Sequence, residues 1–364
     1  MQIGIVGCGT VAQTMHIPHT VELPETELVA LGDPATGRVE TLADRYGVRG
    51  RFSDAEGMIE EMGEELDAAI VLTPMQHHLE AVEATLGAGV HTLVEKPLAA
   101  SLTDADRLVA AAEESDATAM VAYMKRYAPA YERAREVVAD LDGIDRVSAY
   151  DVDPDHGRIL GEVYDLVGGS VPDALLERSS EIRQNDAMSA VGTDDPDLAA
   201  DYNWHLEHAC HDVNLLRGLF GEVERIDHVD LYAESRYATA HLRYEGDLRC
   251  VLHSGDSDRR EFEEFIRVDT PSTAVTLEYF NPFVKNTPAE LRVRRGTEEL
   301  SDETFRGSYE EPFKRELRRF VACARGDREV STTFAQARAD VRLIADLFRV
   351  VAGETPVGEY AGVP

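Results

Sequence analysis

Gln2 to Gln13, reading QIGIVGCGTVAQ, is the stretch that decides the fold of this 364-residue chain. Its first half is apolar and uncharged, which predicts a strand buried on both faces. Small residues follow: Gly7 permits a tight turn, Gly9 lets backbone approach a pyrophosphate, and Ala12 allows close helix packing. A helix beginning near Thr10 would point free N–H groups at phosphate. A plain strand-to-helix turn is the alternative, but the context below favours a dinucleotide site.

The next apolar run, Leu28 to Gly32, ends at an acidic residue, Asp33. A carboxylate in this place accepts hydrogen bonds from the ribose of the adenosine. Because Asp33 would repel a 2′-phosphate, the sequence predicts NAD in preference to NADP. Arg38 lies close enough in sequence to soften that preference, so NADP stays possible.

Strands alternate with helices as far as Ala122, which predicts an α/β Rossmann domain over residues 1–122, with a parallel sheet covered on both faces. Ligands bind beyond the carboxyl ends of such strands. The loops at Gly7, Asp33, Thr73 and Glu95 all fall at that edge. Segments with alternating polar and apolar residues become common afterwards, so residues 123–364 are predicted to form an α+β domain with an antiparallel sheet.

Two local features of the chain are harder to interpret. Pro18 is expected to end the helix that follows the glycine turn. Residues 153–201 are rich in Asp and Gly and only partly periodic, and a structureless loop of that length is uncommon in a compact domain. Short helices broken at Gly168-Gly169 are expected there. The segment is either a lid over an active site or a surface insertion.

The charge of the chain is unusual. There are 69 acidic and 36 basic residues, a net charge of −33, and the acids are spread over the whole length. Such a surface repels nucleic acid and anionic membranes, so neither is expected as a partner. Lysine is also scarce beside arginine, and this combination predicts a halophilic protein working in concentrated salt. A genome rich in arginine codons would explain the arginine but not the charge.

The cysteines and the N-terminus bear on where the protein works. Cys8, Cys210, Cys250 and Cys323 are far apart and form neither a disulfide framework nor a paired metal motif. The chain begins directly with its first strand, without a charged leader or cleavage site. Both features predict a cytoplasmic protein.

Four motifs, in this order, make the chain resemble the Gfo/Idh/MocA family of sugar and cyclitol oxidoreductases. They are GCGTVAQ followed by His16-x-Pro18, Thr73-Pro74 with His78, Glu95-Lys96-Pro97-Leu98, and His211 followed by Leu215, Leu216 and Gly221. The resemblance covers almost the whole chain and is weakest over 153–201. It implies a second domain with a large open sheet, through which family members commonly associate as homodimers or homotetramers.

The resemblance also implies the site. The residues expected to bind the dinucleotide are Gly7, Gly9, Thr10, Val11, Asp33, Thr73, Pro74, His78, Glu95 and Lys96. Lys96 would lie between nicotinamide and substrate and hydrogen-bond a substrate hydroxyl, with His211 as the catalytic base and Glu207 completing the set. Arg126 and His208 are further candidate substrate contacts. Many relatives have aspartate where this chain has Glu207, and often also at Asn214, which leaves the substrate subclass open.

The residue types suit this chemistry independently. Histidine titrates near working pH and can take a hydroxyl proton as hydride leaves, and lysine, unlike arginine, can give up a proton. Glu207 and His211 are four apart and share a helix face. His205, His208 and His211 wind around the helix rather than converge, so no metal is expected, with zinc a minor alternative.

The sequence therefore predicts an NAD(P)-dependent oxidoreductase that transfers hydride between nicotinamide and a hydroxyl of a sugar, sugar acid or cyclitol. One alternative is an NAD-dependent glycosidase of the same fold. The other is a non-catalytic ligand-sensing protein, against which the presence of Lys96 and His211 argues.

Overall fold

The computed structural model describes residues 1–358 and divides them into two compact units. The first unit consists of Met1–Tyr123, Tyr164–Ala190 and Phe313–Val341, and the second unit takes the other described residues. In this part of the chain no helix is long and apolar enough to cross a membrane.

The first unit contains a parallel sheet of six strands in the order β3-β2-β1-β4-β5-β6. These strands are β1 (Gln2–Val6), β2 (Glu27–Gly32), β3 (Gly50–Phe52), β4 (Ala68–Val71), β5 (His91–Glu95) and β6 (Ala119–Ala122). The helices between them are α1 (Ile17–Glu22), α2 (Thr36–Tyr46), α3 (Ala55–Met62), α4 (His78–Gly87) and α5 (Leu102–Glu114). The order reverses at β1 and β4, which makes the carboxyl ends of those strands the ligand edge. The predicted α/β class and parallel sheet are confirmed.

Local signals set several of these boundaries. The Asp54 carboxylate accepts the Gly57 N–H at the start of α3, and the Ser101 hydroxyl accepts the Asp104 N–H at the start of α5. Gly47 ends α2 with φ +71°, in the left-handed region that favours glycine.

Pro18 does not end the first helix, so that prediction is wrong. Ala12–His16 is a π-helical turn, and Pro18 falls in the first turn of α1, which continues to Glu22. The residues before Pro18 are already helical from Thr10 onward, so Pro18 lies within a continuous helical path. The wider π turn before it lets the helical path continue.

Two later segments pack within the first unit. The segment 164–190 contains most of α8 (Asp173–Val191), which follows α7 (His156–Val163) of the second unit. The segment 313–341 contains nearly all of α10 (Pro312–Ala324) and the start of α11 (Phe334–Ala352). It completes the edge of the sheet at β6: the Val121 N–H donates to the Thr332 carbonyl (2.9 Å), and the Thr332 hydroxyl donates to the Val121 carbonyl (2.7 Å). The contiguous division at 122/123 expected from the sequence therefore differs from the observed units.

The second unit contains a sheet of eight strands in the order β14-β13-β12-β11-β7-β10-β9-β8. These strands are β7 (Arg146–Asp153), β8 (Arg225–Tyr232), β9 (Tyr237–Tyr244), β10 (Leu248–Asp256), β11 (Glu263–Asp269), β12 (Thr273–Tyr279), β13 (Glu290–Arg295) and β14 (Ser301–Phe305). Its helices include α6 (Pro129–Ala139) and the long α9 (Pro196–Phe220), which begins at the Asp195 cap. The sheet is antiparallel except where β7 and β10 pair in parallel, so the prediction of a mostly antiparallel sheet is confirmed.

Candidate active site

The glycine turn after β1 has the geometry of a phosphate-binding loop. Gly7 has φ +92°, and a Cβ placed there would lie 2.4 Å from the Leu72 carbonyl oxygen, so only glycine fits. A Cβ at Gly9 would meet nothing within 4 Å, which leaves open space over the backbone. Thr10 and Val11 are already helical, and their N–H groups lie in the first turn, where a helix attracts anions.

Asp33 at the end of β2 is held by donors of the protein itself. One carboxylate oxygen accepts the Cys8 N–H (2.8 Å), and the other accepts the Ala35 N–H (2.8 Å). Arg38 forms an ion pair with the same carboxylate at 3.1 Å. The side chain is 5% exposed. Asp33 therefore links the glycine turn to β2 and carries a compensating cation beside it.

The His78 side chain holds the loop after β4 through its backbone carbonyls. The His78 ring is buried, with Nε2 2.9 Å from the Thr73 carbonyl oxygen and Nδ1 3.1 Å from the Leu98 carbonyl oxygen. Burial lowers the pKa of His78, so the ring is neutral and structural in character. The Thr73 hydroxyl is shielded from solvent and has no hydrogen-bond partner among residues 1–358. This orphaned hydroxyl and the open space at Gly9 fit a bound dinucleotide.

The segment 164–190 lies at the same ligand edge. The Gln13 side chain forms two hydrogen bonds with the Val167 backbone, accepting its N–H (2.8 Å) and donating to its carbonyl (3.1 Å). A Cβ at Gly169 would come within 2.7 Å of Ala35 and 3.0 Å of Arg38. Segment 164–190 therefore approaches both the glycine turn and the region after Asp33.

A second attachment of this segment involves the β4 loop. Ser179 on α8 accepts a hydrogen bond from Gln76 (2.8 Å) and contacts His77 Nε2 (2.9 Å). Segment 164–190 is thus attached both to the glycine turn and to the loop after β4.

Glu95 at the end of β5 is buried between two donors. Its Oε1 accepts from His16 Nε2 (3.1 Å), and its Oε2 accepts the Lys96 N–H (3.0 Å). Burial alone would raise the pKa of Glu95, but His16 and Lys96 outweigh it and the pKa is lowered. Glu95 is thus an anion that holds the backbone of Lys96 at the ligand edge, while the Lys96 side chain is partly exposed.

The three histidines of α9 have different surroundings. His205 contacts the Ser254 hydroxyl (3.2 Å) and the Ser235 carbonyl (3.1 Å), and burial lowers its pKa to about 4. It is a neutral structural residue. His211 is 8% exposed, and Glu207, one turn earlier, is partly exposed.

His208 is paired with an aspartate of β7. Its Nδ1 lies 2.7 Å from the Trp204 carbonyl and its Nε2 3.1 Å from Asp153. Both ring nitrogens of His208 therefore face acceptor oxygens. Burial alone would raise the pKa of Asp153, but His156 and His208 outweigh it and the pKa is lowered.

Next to this pair lies an acid cluster that the sequence did not indicate. It comprises Asp151 on β7, Asp212 on α9 and Glu264 on β11, with carboxylate oxygens within 4.8 Å of one another and exposures of 3%, 0% and 1%. The buried Lys125 ammonium forms an ion pair with Glu264. Burial raises the pKa of all three acids, that of Glu264 to about 8 despite Lys125. The spacing suits a cation, but Lys125 already supplies positive charge there.

Arg126, a predicted substrate contact, is engaged with α9. Its guanidinium donates to the Asn214 carbonyl (2.9 Å) and to the Asn214 side-chain oxygen (3.1 Å), and it lies 5.3 Å from the centre of the Tyr131 ring. The side-chain amide of Asn214 therefore serves as an acceptor for Arg126.

Comparison with known proteins agrees with this geometry. Residues 1–123 match the family model described as an oxidoreductase family with an NAD-binding Rossmann fold. The chain is 30% identical over 297 residues to D-xylose 1-dehydrogenase (NADP(+)) 2 of Haloferax volcanii, an alignment covering 75% of this chain and 90% of that protein. The chain belongs to the Gfo/Idh/MocA oxidoreductase family. It is thus an NAD(P)-binding oxidoreductase with a Rossmann sheet.

Two further similar proteins show how far the likeness extends. Myo-inositol 2-dehydrogenase of Thermotoga maritima is 25% identical over 171 residues, which cover 45% of this chain and 50% of that protein. The structure of a putative NADPH-dependent oxidoreductase from Desulfitobacterium hafniense aligns with a TM-score of 0.76 at 16% identity, covering 97% of this chain and 96% of the other. That structural likeness shows a shared fold over 97% of the chain.

Within the family framework, the predicted residues form two groups. The first group lies at the ligand edge of the first unit and comprises the glycine turn, Asp33, Thr73, His78, Glu95 and Lys96. The second group lies on α9 of the second unit and comprises Glu207, His208 and His211. Sequence reasoning missed the cluster around Lys125. The scarcity of lysine in this chain could have pointed to this cluster. Where nearly all basic residues are arginine, a lysine indicates a site that needs the properties of lysine specifically.

Proposed function

We propose that the protein is an NAD(P)-dependent dehydrogenase that oxidises a CH–OH group of a sugar, sugar acid or cyclitol. The observation that carries this proposal is the alignment with the Haloferax D-xylose dehydrogenase over 90% of that protein, together with the presence of Lys96 and His211. The Thermotoga relative, named for myo-inositol, supports a polyhydroxylated substrate.

In this proposal each residue has one task. His211 takes the hydroxyl proton, Lys96 donates a hydrogen bond to the same hydroxyl, and Glu207 positions these groups. The bound dinucleotide would accept the hydride. Glu95 acts on Lys96 through the backbone contact described above, and Arg126 and His208 stay candidate contacts of the substrate.

A panel of sugars and polyols, followed by NADH and NADPH absorbance in molar KCl, tests the activity. Net formation of reduced cofactor is expected with at least one compound. Release of a sugar from a glycoside without net NADH would instead establish the glycosidase alternative. Ligand binding without any turnover would establish the sensing alternative.

Two variants test the residue roles. Lys96→Ala should abolish turnover while dinucleotide binding survives, and His211→Ala should lower kcat by about 10²–10⁴-fold. His205→Gln is the matched control, because it changes a neutral structural histidine on the same helix and should leave kcat within a few-fold. A His211→Ala effect confined to KM would reassign His211 to substrate binding.

For the cofactor, we propose that NAD is preferred. Asp33 places negative charge where a 2′-phosphate would lie, and Arg38 partly offsets that charge. The ratio of kcat/KM for the two cofactors should therefore favour NAD modestly, and Arg38→Ala should enlarge it. Equal or better efficiency with NADP, the cofactor in the name of the Haloferax relative, would refute the argument from Asp33.

We also propose a homodimer or homotetramer formed through the open eight-stranded sheet, and adaptation to concentrated salt. The net charge of −33 supports the second of these, and the Haloferax relative is consistent with it. Sedimentation in molar KCl measures the assembly.

A further inference from the structure

Segment 164–190 borders three loops at the ligand edge of the first unit. These loops follow β1, β4 and β2; the strand order reverses between the first two of these strands, and β2 lies beside β1. In a sheet of this topology the dinucleotide lies in the crevice beyond the carboxyl ends of the strands at the reversal. The contacts of the segment with these loops therefore bear on how the crevice is closed.

The first contact joins the segment to the glycine turn. The Gln13 side chain accepts the Val167 N–H (2.8 Å) and donates to the carbonyl oxygens of Val167 (3.1 Å) and Cys8 (2.9 Å). One amide group thus links the backbone of the segment to the backbone between Gly7 and Gly9. The net stabilisation by such bonds is modest, because groups that separate regain hydrogen bonds to water. This contact can therefore break and form again.

The second contact lies after β2 and depends on glycine. A Cβ at Gly169 would lie 2.7 Å from the Ala35 Cβ and 3.0 Å from the Arg38 Nε. The Arg38 guanidinium forms an ion pair with Asp33 (3.1 Å), and its Nε is shielded from solvent. The backbone of the segment therefore lies directly on the side chain that pairs with Asp33.

The third contact is with the loop after β4. The Ser179 hydroxyl accepts a hydrogen bond from Gln76 (2.8 Å) and lies 2.9 Å from His77 Nε2. Between Val167 and Ser179 the segment therefore passes the loops of β1, β2 and β4 in turn. It forms an outer wall of the crevice.

The segment is weakly anchored over the same stretch. Every residue of 164–178 is at least partly exposed, and Leu175 and Leu176 are 46% and 53% exposed. Burial begins at Ala187, which is 0% exposed. A stretch with few buried apolar groups opens locally at a small cost in free energy, while the rest of the fold stays intact. Residues 164–178 can therefore open while the far end of α8 stays packed.

We propose that segment 164–190 is a strap that closes the dinucleotide crevice and retains the cofactor, with Gly169 as the residue that seats it on Arg38. Residues 164–178 open to admit or release the dinucleotide and close when it is bound. Of the two interpretations of 153–201 given above, this is the lid, placed over the cofactor. The role needs dinucleotide binding but neither the proposed substrate nor turnover, so it goes beyond the proposed function.

Stopped-flow fluorescence of NADH in molar KCl tests the seat without any substrate. Ala35 has no freedom to move its Cβ aside, so Gly169→Ala should displace the segment. The dissociation rate constant of NADH should rise about fivefold, which corresponds to the loss of roughly one hydrogen-bonded contact, and association should be no slower. Gly168→Ala is the matched control, since a Cβ there would meet nothing within 4 Å, and it should match the wild type. Equal dissociation rates in the two variants, or slower association in Gly169→Ala, would overturn the proposal.

Hydrogen exchange tests the strap in the wild type and needs no substitution. With free NAD or NADP about tenfold above its Kd, residues 164–178 should exchange about tenfold more slowly than in the unliganded protein. The buried end of α8 around Ala187 is the internal control and should be protected in both states. Equal exchange of 164–178 in the two states would overturn the proposal. If the rate constants and the exchange behave as expected but no compound is oxidised, the proposed function alone is refuted.

Discussion

Replacing Lys125 with methionine should destabilise the second unit strongly. Lys125 is 5% exposed and Glu264 1% exposed, and the ammonium is the cation that pairs with this carboxylate. Removing one partner of a buried ion pair costs about 3–5 kcal/mol, because the other charge is left uncompensated. Methionine has nearly the length of the lysine stem, so the loss would measure charge rather than a cavity.

The destabilisation should grow with pH. In the wild type the folded-state pKa of Glu264 is about 8, and it rises further when Lys125 is lost. Above about pH 8, Glu264 of the folded wild type has lost its proton, whereas Glu264 of the folded variant still retains it. In the unfolded chain of either protein, where a glutamate has a pKa of about 4.3, this proton has already been released. The deficit should therefore be smallest near neutral pH, where Glu264 is mostly protonated in both folded proteins, and approach about 3–5 kcal/mol as pH rises through and beyond 8.

Urea denaturation in molar KCl measures this effect. The chain has one tryptophan, Trp204, and it lies on α9, so its fluorescence reports on the second unit. The double variant Lys125→Met/Glu264→Gln is the control, since removing both charges should recover at least half of the loss. A loss below about 1 kcal/mol, or one that does not change with pH, would show that the cluster does not depend on this ion pair.

Two further predictions concern the surface and the ligand edge. Raising KCl from tenths-molar to molar should raise both the thermal midpoint and the activity. The Debye length falls from about 10 Å at 0.1 M to about 3 Å at 1 M, so salt screens the repulsion among the surface carboxylates. If the thermal midpoint does not change with salt, the acidity is a solubility feature. Gln13→Ala, which loses both hydrogen bonds to Val167, should weaken dinucleotide binding about fivefold to tenfold by calorimetry. Gln13→Glu retains the acceptor for the Val167 N–H, so its dinucleotide affinity should lie between those of the wild type and Gln13→Ala. Unchanged affinity in Gln13→Ala would show that segment 164–190 does not act on the cofactor.

Features of the fold that depend on local rules were predictable from the sequence. The β1 strand and its turn, the left-handed Gly47 and the Ser101 cap each follow from neighbouring residues, and the structure has them all. β13 and β14 were missed. β14 is mostly exposed along its length and carries no alternating apolar pattern. It is an edge strand, defined by its pairing with a neighbouring strand rather than by burial, so its sequence gives no strand signal.

The buried cluster around Lys125 could not be predicted for a different reason. Its acids come from β7, α9 and β11, far apart in sequence, and only the folded sheet brings them together. In the sequence, Asp151 and Glu264 resemble ordinary polar positions of alternating strands.

The return of residues 313–341 to the first unit has a consequence for biosynthesis. β6 needs Thr332 as a partner, and Phe320 and Leu317 on α10 are fully or almost fully buried. The nascent chain therefore cannot finish its nucleotide-binding unit when residue 123 leaves the ribosome. It must wait until residue 341 of 364 has been translated. The unit that begins first is therefore among the last to be completed, and a truncated product would lack a finished first unit rather than only a second domain.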